Sequence, residues 1–188
     1  MKLLLALITF SMMSAAHADV FSADYYQQLE VKAQALAAGK LQLPWQVGDT
    51  ANYNVKLGPI SGTVDSSITE ETGEGFWVVQ NVDLMFQKQK IEILFDKETG
   101  EILQMKVNGE KQSIPENNME VVDMQDDKVT VPAGTFDVLH VTLRDKTSGD
   151  ESHAWVNPNI IPISGAAKQT SPSQFGQVVM ELKSFVKN

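Results

Sequence analysis

Apolar and polar residues alternate along most of the chain beyond residue 50, which is the pattern of β-strands with one buried face. Within residues 75–87, for example, Phe76, Val78 and Leu84 would share one face, and Trp77 would lie on the other. The pattern predicts strands at residues 50–57, 62–69, 75–87, 91–95, 103–107, 119–124, 128–131, 135–144, 151–156 and 178–186, with a weaker candidate at 163–169.

Residues 22–39 have a different, helical period. Ser22 is a suitable N-cap, Gly39 a suitable C-terminal stop, and Pro44 prevents continuation. The apolar residues recur at spacings of three and four and form one stripe: Tyr26, Leu29, Ala33, Leu36 and Ala37. We expect a helix packed on the sheet, because its polar face is not basic enough for a helix that lies on a membrane.

The order of these elements predicts a mainly β protein with one N-terminal helix. Short connections favour antiparallel pairing, and there is no alternation of strands and helices that would indicate a doubly wound fold. The strands would form a curved antiparallel sheet, either an unclosed barrel around the helix or a sandwich. We expect one domain over residues 19–188, with the helix at 22–39 and the β half-barrel at 45–188. Residues 157–176, rich in proline, would be either a lid or a surface connection partly tucked into the core.

Residues 1–18 have the form of a secretory signal peptide. Lys2 precedes an apolar run, and Ala16-His17-Ala18 fits the small-x-small cleavage pattern. A retained membrane anchor is the alternative, but the apolar run is shorter than the ~20 residues that span a bilayer. We therefore expect cleavage after Ala18 and a location in the periplasm of the Gram-negative envelope.

Composition excludes several classes of function. The chain has 188 residues, no Cys and a formal net charge of -9. Disulfide scaffolds, thiolate metal sites and a lipid-modified Cys are therefore excluded. The acidic balance disfavours nucleic acid as a partner, because phosphate binding needs clustered Lys and Arg.

Candidate catalytic residues are few. Metalloprotease, hydrolase and phosphate-loop motifs are missing from the sequence. His153 would share a face with Trp155, and its imidazole would approach that of His140 if their strands pair. Two His do not make a reliable metal site, and Asp123, Asp126 and Asp127 lack the EF-hand spacing for calcium. We therefore predict no enzymatic activity, no cofactor, no metal and no catalytic residue.

The apolar faces of the strands suggest a binding role. A curved sheet lined by apolar side chains and half-covered by a helix could hold an apolar ligand. The alternative is an interior filled entirely by side chains, with an exposed patch, including Trp77 or Trp155, that binds another envelope protein. The candidate ligand-lining residues are Phe76, Val78, Leu84, Phe86, Ile93, Phe95, Leu103, Met105, Leu139, Val141, Met180 and Leu182.

The run Val131-Pro132-Ala133-Gly134-Thr135-Phe136-Asp137, followed by His140-Val141, resembles a signature of periplasmic proteins in the LolA/LolB-like superfamily. Residues 47–62 resemble the opening strand pair of that group, and residues 155–158 and 180–182 resemble its last third. In this run Pro132 would end one strand and Gly134 permit the turn, so that Val131 and Phe136 would begin opposite arms of a hairpin.

The resemblance implies an unclosed β-barrel wrapped around a helix, whose interior holds lipoprotein acyl chains under helical lids in the characterised relatives. This sequence departs from the lipoprotein carrier in two ways. The carrier has an Arg on an early strand that latches the lid, whereas the only Arg here is Arg144, on a late strand. Lid helices between the strands are also missing, unless residues 157–176 replace them. We expect a non-enzymatic periplasmic protein that binds a lipid, a lipoprotein acyl chain or another apolar ligand, with an envelope interaction module as the alternative.

Overall fold

Eleven antiparallel strands form one curved sheet in the computed structural model, which describes residues 43–85, 87–114, 119–173 and 176–188. The predicted signal peptide and the predicted helix at 22–39 lie outside the described residues. The strands are β1 (Thr50–Leu57), β2 (Ile60–Glu71), β3 (Gly75–Leu84), β4 (Gln87–Asp96), β5 (Ile102–Val107), β6 (Glu110–Gln112), β7 (Met119–Val131), β8 (Gly134–Asp145), β9 (Glu151–Val156), β10 (Ala166–Ser173) and β11 (Gly176–Val186).

The strand order is β6-β5-β4-β3-β2-β1-β11-β10-β9-β8-β7, so β1 and β11 pair at the middle and β6 and β7 form the two edges. Each strand otherwise pairs with its neighbour in sequence. Tight turns explain these local pairings: Asn108 and Gly109, between β5 and β6, both have positive φ (52° and 85°), as a type I′ hairpin turn requires. In the described residues the two edges do not pair, so the sheet is not closed. The prediction of a curved antiparallel sheet is confirmed, and the described strands form this one sheet rather than the two of a sandwich.

One face of this sheet, which we call the inner face, carries the main hydrophobic core. It includes Tyr53 and Val55 of β1, Val78 of β3 and Leu182 of β11, all nearly inaccessible to solvent. Trp45, just before β1, packs its ring edge-to-face with Phe95, 5.3 Å between ring centroids. Within the described part of the chain, no helix has the length and hydropathy that crossing a bilayer requires.

The prediction that Leu103 lies on the inner face is wrong, because Leu103 is 40% exposed while its neighbour Ile102 is 6% exposed. The cause is a bulge in the β4–β5 pair. Leu94 lies opposite Gln104, but Phe95 lies opposite Ile102, so Leu103 is an extra residue with no partner across the pair. Counting every second residue back from Met105 therefore places Leu103 on the inner face, where the structure has Ile102.

The strands predicted at 119–124 and 128–131 form one strand, β7. Its polar middle stays extended because Gln125 pairs with His140 and Asp127 with Val138 of β8. The strand predicted at 75–87 ends at Leu84, and the weak candidate at 163–169 is displaced to Ala166–Ser173.

The connection between β9 and β10 is tucked into the core. Ile161 and Ile163 are buried in the main cluster, Ile163 with φ of 63°. The Tyr53 hydroxyl lies 2.8 Å from Ser164 Oγ and donates to the Ala166 carbonyl at 3.1 Å, which ties this loop to β1. The proline-rich segment thus divides into a packed loop and a regular strand.

Candidate functional site

The predicted ligand-lining residues are mostly brought together on the inner face. The main cluster contains Phe76, Val78, Leu84, Ile93, Phe95, Met105, Met180 and Leu182. Val141 is buried in a second, smaller cluster with Met119 and Leu143, and Leu139 packs against it half-buried. Leu103 lies outside both clusters, and Phe86 is not among the described residues.

Buried amides interrupt this apolar face. Gln80 of β3 pairs directly with Ser66 of β2, and both are buried. Gln80 Oε1 and Gln169 Nε2 are buried and have no hydrogen-bond partner among the residues that the structure describes. Such atoms are costly unless water or a ligand satisfies them, so they are the polar groups of the interior with capacity to bind.

The edge strand β7 is exposed on both of its faces. Every residue from 120 to 128 is exposed, and this stretch includes three apolar side chains, Val121 (43%), Val122 (36%) and Met124 (54%). Val121 and Met124 lie opposite Leu143 and Val141, so they extend the second cluster toward solvent.

The opposite face of β7 is acidic. Glu120 lies opposite Arg144, and Asp123 opposite Thr142, on the face away from Val121 and Met124. We call the exposed stretch 120–128 the β7 edge. A bulge between Val121 and Asp123 shifts its register by one residue, which gives the strand an irregular middle.

The His–Trp cluster lies on the same face of the sheet as these acidic residues and is built by the register of β8 and β9. His140 lies opposite Trp155, and Thr142 opposite His153. The two imidazoles are diagonal neighbours, and His140 Nε2 is 3.1 Å from His153 Nδ1. The predicted approach of the two His is confirmed.

Further contacts fix the His–Trp cluster. The His140 ring stacks on Trp155 with 4.4 Å between centroids and 5° between planes. The indole N–H of Trp155 donates to Asp127 Oδ2 at 2.9 Å. The hydrogen bond from the Lys128 backbone amide, and then the one from Trp155, lower the pKa of Asp127. Burial, and then the charge of His153, lower the pKa of His140. Sequence reasoning missed Asp127 and Gln125 as neighbours because the β7–β8 register is not visible in the alternation.

The two Trp named as an exposed patch are both covered in part. Lys106 Nζ lies 4.7 Å from the centroid of the half-buried Trp77 ring, and Lys168 Nζ lies 5.6 Å from that of Trp155. Exposed apolar side chains lie instead on β7, at Val121, Val122 and Met124, where the prediction did not place them.

The signature run forms the β7–β8 hairpin turn. β7 ends at Val131 and β8 begins at Gly134, as predicted for the two arms. The backbone N–H of Ala133 donates to the Leu182 carbonyl of β11 at 3.0 Å, and Phe136 packs on Phe185 with 6.2 Å between centroids. These contacts stabilise the fold, because they hold the tip of the hairpin against β11.

Comparison with known proteins adds only weak likeness. No protein-family model matches the chain, and no curated protein matches it. A solved structure from Bacteroides fragilis, described as an exported protein with a YmcC-like fold, is 13% identical, covers 78% of this chain and 99% of its own, and has a TM-score of 0.40. A likeness at this level carries no argument about fold or function.

Proposed function

We propose that this protein is a non-enzymatic interaction module of the cell envelope, and that it binds an extended segment of a partner protein along the β7 edge. The observation that carries the proposal is the run of exposed residues at 120–128 on a sheet edge, with three exposed apolar side chains. A long exposed edge presents unpaired backbone N–H and C=O groups to which a further strand can be added.

The side chains of β7 define the chemistry of the partner. One face offers the apolar Val121 and Met124, and the other offers the carboxylates of Glu120 and Asp123. A strand whose residues alternate between apolar and basic would complement both faces, because its side chains also alternate between the two sides of the sheet. The acidic residues and the bulge disfavour indiscriminate pairing, so they would restrict the edge to a basic partner.

A packed interior supports an outer binding surface. Side chains that line a ligand-sized cavity remain accessible to a water molecule inside it. Val64, Val78, Ile91 and Ile93, at the centre of the inner face, are each 0% exposed. Their burial in one contiguous cluster is typical of a protein core.

A synthetic peptide of alternating Lys and Val tests this proposal, with a peptide of alternating Glu and Val as its counterpart. We expect the basic peptide to bind, to shift the amide resonances of residues 120–128, and to bind more weakly at high salt because the contacts are exposed. Asp123→Lys and Met124→Gln should each weaken binding by about 1 kcal/mol, or roughly fivefold.

Met85→Gln is the matched control, because Met85 is 82% exposed and lies between β3 and β4. Equal affinity of Met124→Gln and the unaltered protein, or resonance shifts confined to another strand, would refute the proposal.

A second candidate function is binding of a lipid, a lipoprotein acyl chain or another apolar ligand against the inner face. The unpartnered Gln80 Oε1 and Gln169 Nε2 favour it, since a ligand with a polar group could satisfy them. The resemblance to the LolA/LolB-like superfamily supports the same function, and the predicted signal peptide supports a periplasmic location for either candidate.

Native mass spectrometry of protein purified from envelope fractions tests this second function. We expect an added mass in the range of a lipid, which is released by organic solvent and reduced in Gln80→Leu. Spectra that contain only the bare protein, from both the unaltered chain and Gln80→Leu, would exclude it.

A further inference from the structure

The two imidazoles of the His–Trp cluster face each other on adjacent strands at the distance of two ligands of one metal ion. The geometry points to a binding site for a divalent transition-metal ion, with Cu²⁺ the preferred ion, between His140 Nε2 and His153 Nδ1. Imidazole nitrogens suit Cu, Ni and Zn, and the Irving–Williams order places Cu²⁺ first.

The distance between the nitrogens sets the angle at the metal. With metal–nitrogen bonds of about 2.0–2.1 Å, a separation of 3.1 Å corresponds to an angle of about 95–100°. That angle is nearer to the right angle of tetragonal Cu²⁺ than to a tetrahedron. An ion would replace the hydrogen bond between the two rings, and both rings would turn so that their lone pairs converge on the ion.

The surrounding contacts hold the ligands in place. Gln125 Nε2 lies 3.4 Å from His140 Nδ1. With an ion on Nε2, Nδ1 would carry the ring hydrogen, and the Gln125 amide would have to turn its oxygen toward Nδ1 to accept it. The other side of the His140 ring is fixed by its stack on Trp155, which is anchored by Asp127. Such neighbours orient metal-binding imidazoles and raise metal affinity.

The site has open positions. Thr142 Oγ1 lies 3.2 Å from His153 Nδ1, near enough to meet a water on the ion. Across the ranges that the structure describes, no group of three or more His, Cys, Asp or Glu could hold a metal. Water would therefore complete the coordination, and the ion would exchange readily rather than be a permanent structural metal. This site lies beyond the prediction from sequence, which expects no metal.

The charges around the cluster favour a cation. Asp127 and Asp123 act on His140 electrostatically from β7. On the other strands the charged groups are already paired: Arg144 of β8 with Glu151 of β9 at 2.8 Å, and Lys168 of β10 with Glu181 of β11 at 3.4 Å.

Copper titration of the full chain without an affinity tag tests the site, in a background of His17→Gln so that only His140 and His153 remain. Trp155 is the natural reporter, since a paramagnetic ion bound to the stacked His140 quenches its fluorescence. We expect one Cu²⁺ per chain, quenching of Trp155, and weaker binding of Ni²⁺ and Zn²⁺.

His153→Ala should weaken Cu²⁺ binding at least about tenfold, and it leaves the His140–Trp155 stack in place. Trp155→Phe should retain the bound Cu²⁺, detected by electron paramagnetic resonance with nitrogen ligands, while the quenching disappears. Circular dichroism of both variants checks that the sheet is intact. Cu²⁺ binding of unchanged affinity in His153→Ala, or no binding by the parent chain, would overturn the proposal.

Discussion

Tyr53 shows how one buried polar side chain joins distant parts of this chain. Its ring lies on the inner face of β1. Its hydroxyl contacts Ser164 Oγ in the loop before β10 and the carbonyl of Ala166, the first residue of β10. Burial raises its pKa to about 12, and the hydrogen bond with Ser164 opposes this rise only in part. The neutral phenol is therefore the form that the folded protein requires.

This raised pKa predicts a specific loss of stability in alkali. Because the pKa is about 10 in the unfolded chain and about 12 in the folded one, the contribution of Tyr53 is fully present below pH 10. It is lost as the pH rises from 10 through 12. Urea denaturation should show a steeper fall of the midpoint over this interval in the unaltered protein than in Tyr53→Phe.

Absorbance titration of a Tyr25→Phe, Tyr26→Phe variant gives an independent measurement, since Tyr53 is then the only tyrosine. We expect no tyrosinate signal until well above pH 10. Ordinary ionisation near pH 10 with the sheet still folded would contradict the assignment.

At the scale of the element, the hairpin of β3 and β4 depends on the absence of a side chain at Gly75. A Cβ there would lie 1.8 Å from the Phe95 carbonyl oxygen, so the backbone of one strand would have to move. A Cβ added at Gly73, two residues earlier, would have no other atom within 4 Å. The two glycines form a matched pair for substitution.

We expect Gly75→Ala to destabilise the protein by about 2 kcal/mol or more, because the clash is with backbone rather than with a flexible side chain. Gly73→Ala should change stability by no more than about 0.5 kcal/mol. Thermal or urea unfolding of both variants measures the difference. Equal stability of the two would show that β3 and β4 separate more readily at this end than their pairing indicates.

The strands themselves were predictable where one face is buried and the other is not. Residues 50–57 and 151–156 match β1 and β9 at both ends, because alternation and turn residues agree there. β7 was divided in two because its central residues are exposed on both faces, so no apolar period marks them. A bulge such as that at Leu103 cannot be recognised from the residue types, and beyond it the inward-facing and outward-facing positions of the strand are exchanged.

At the scale of the whole molecule, local pairs could be predicted and the sheet order could not. The pairing of β1 with β11 joins Thr50 to Val186, and nothing in either sequence segment identifies the other. For the same reason, the sequence predicts the approach of His140 and His153 only on the condition that their two strands pair. Their neighbours Asp127 and Gln125 lie on a third strand, β7, which the sequence does not place beside them. The geometry of these sites depends on register, which alternation alone does not specify.

The pairing of the first and last strands also has a consequence for how the chain folds. All other neighbours in the sheet are neighbours in sequence, so β1–β11 alone demands the closure of a loop that spans nearly the whole domain. A circular permutant, with residue 188 joined to residue 19 and new termini between β6 and β7, would turn the same sheet into a simple up-and-down meander. Its contact order would be lower and its folding correspondingly faster, with every strand pair retained.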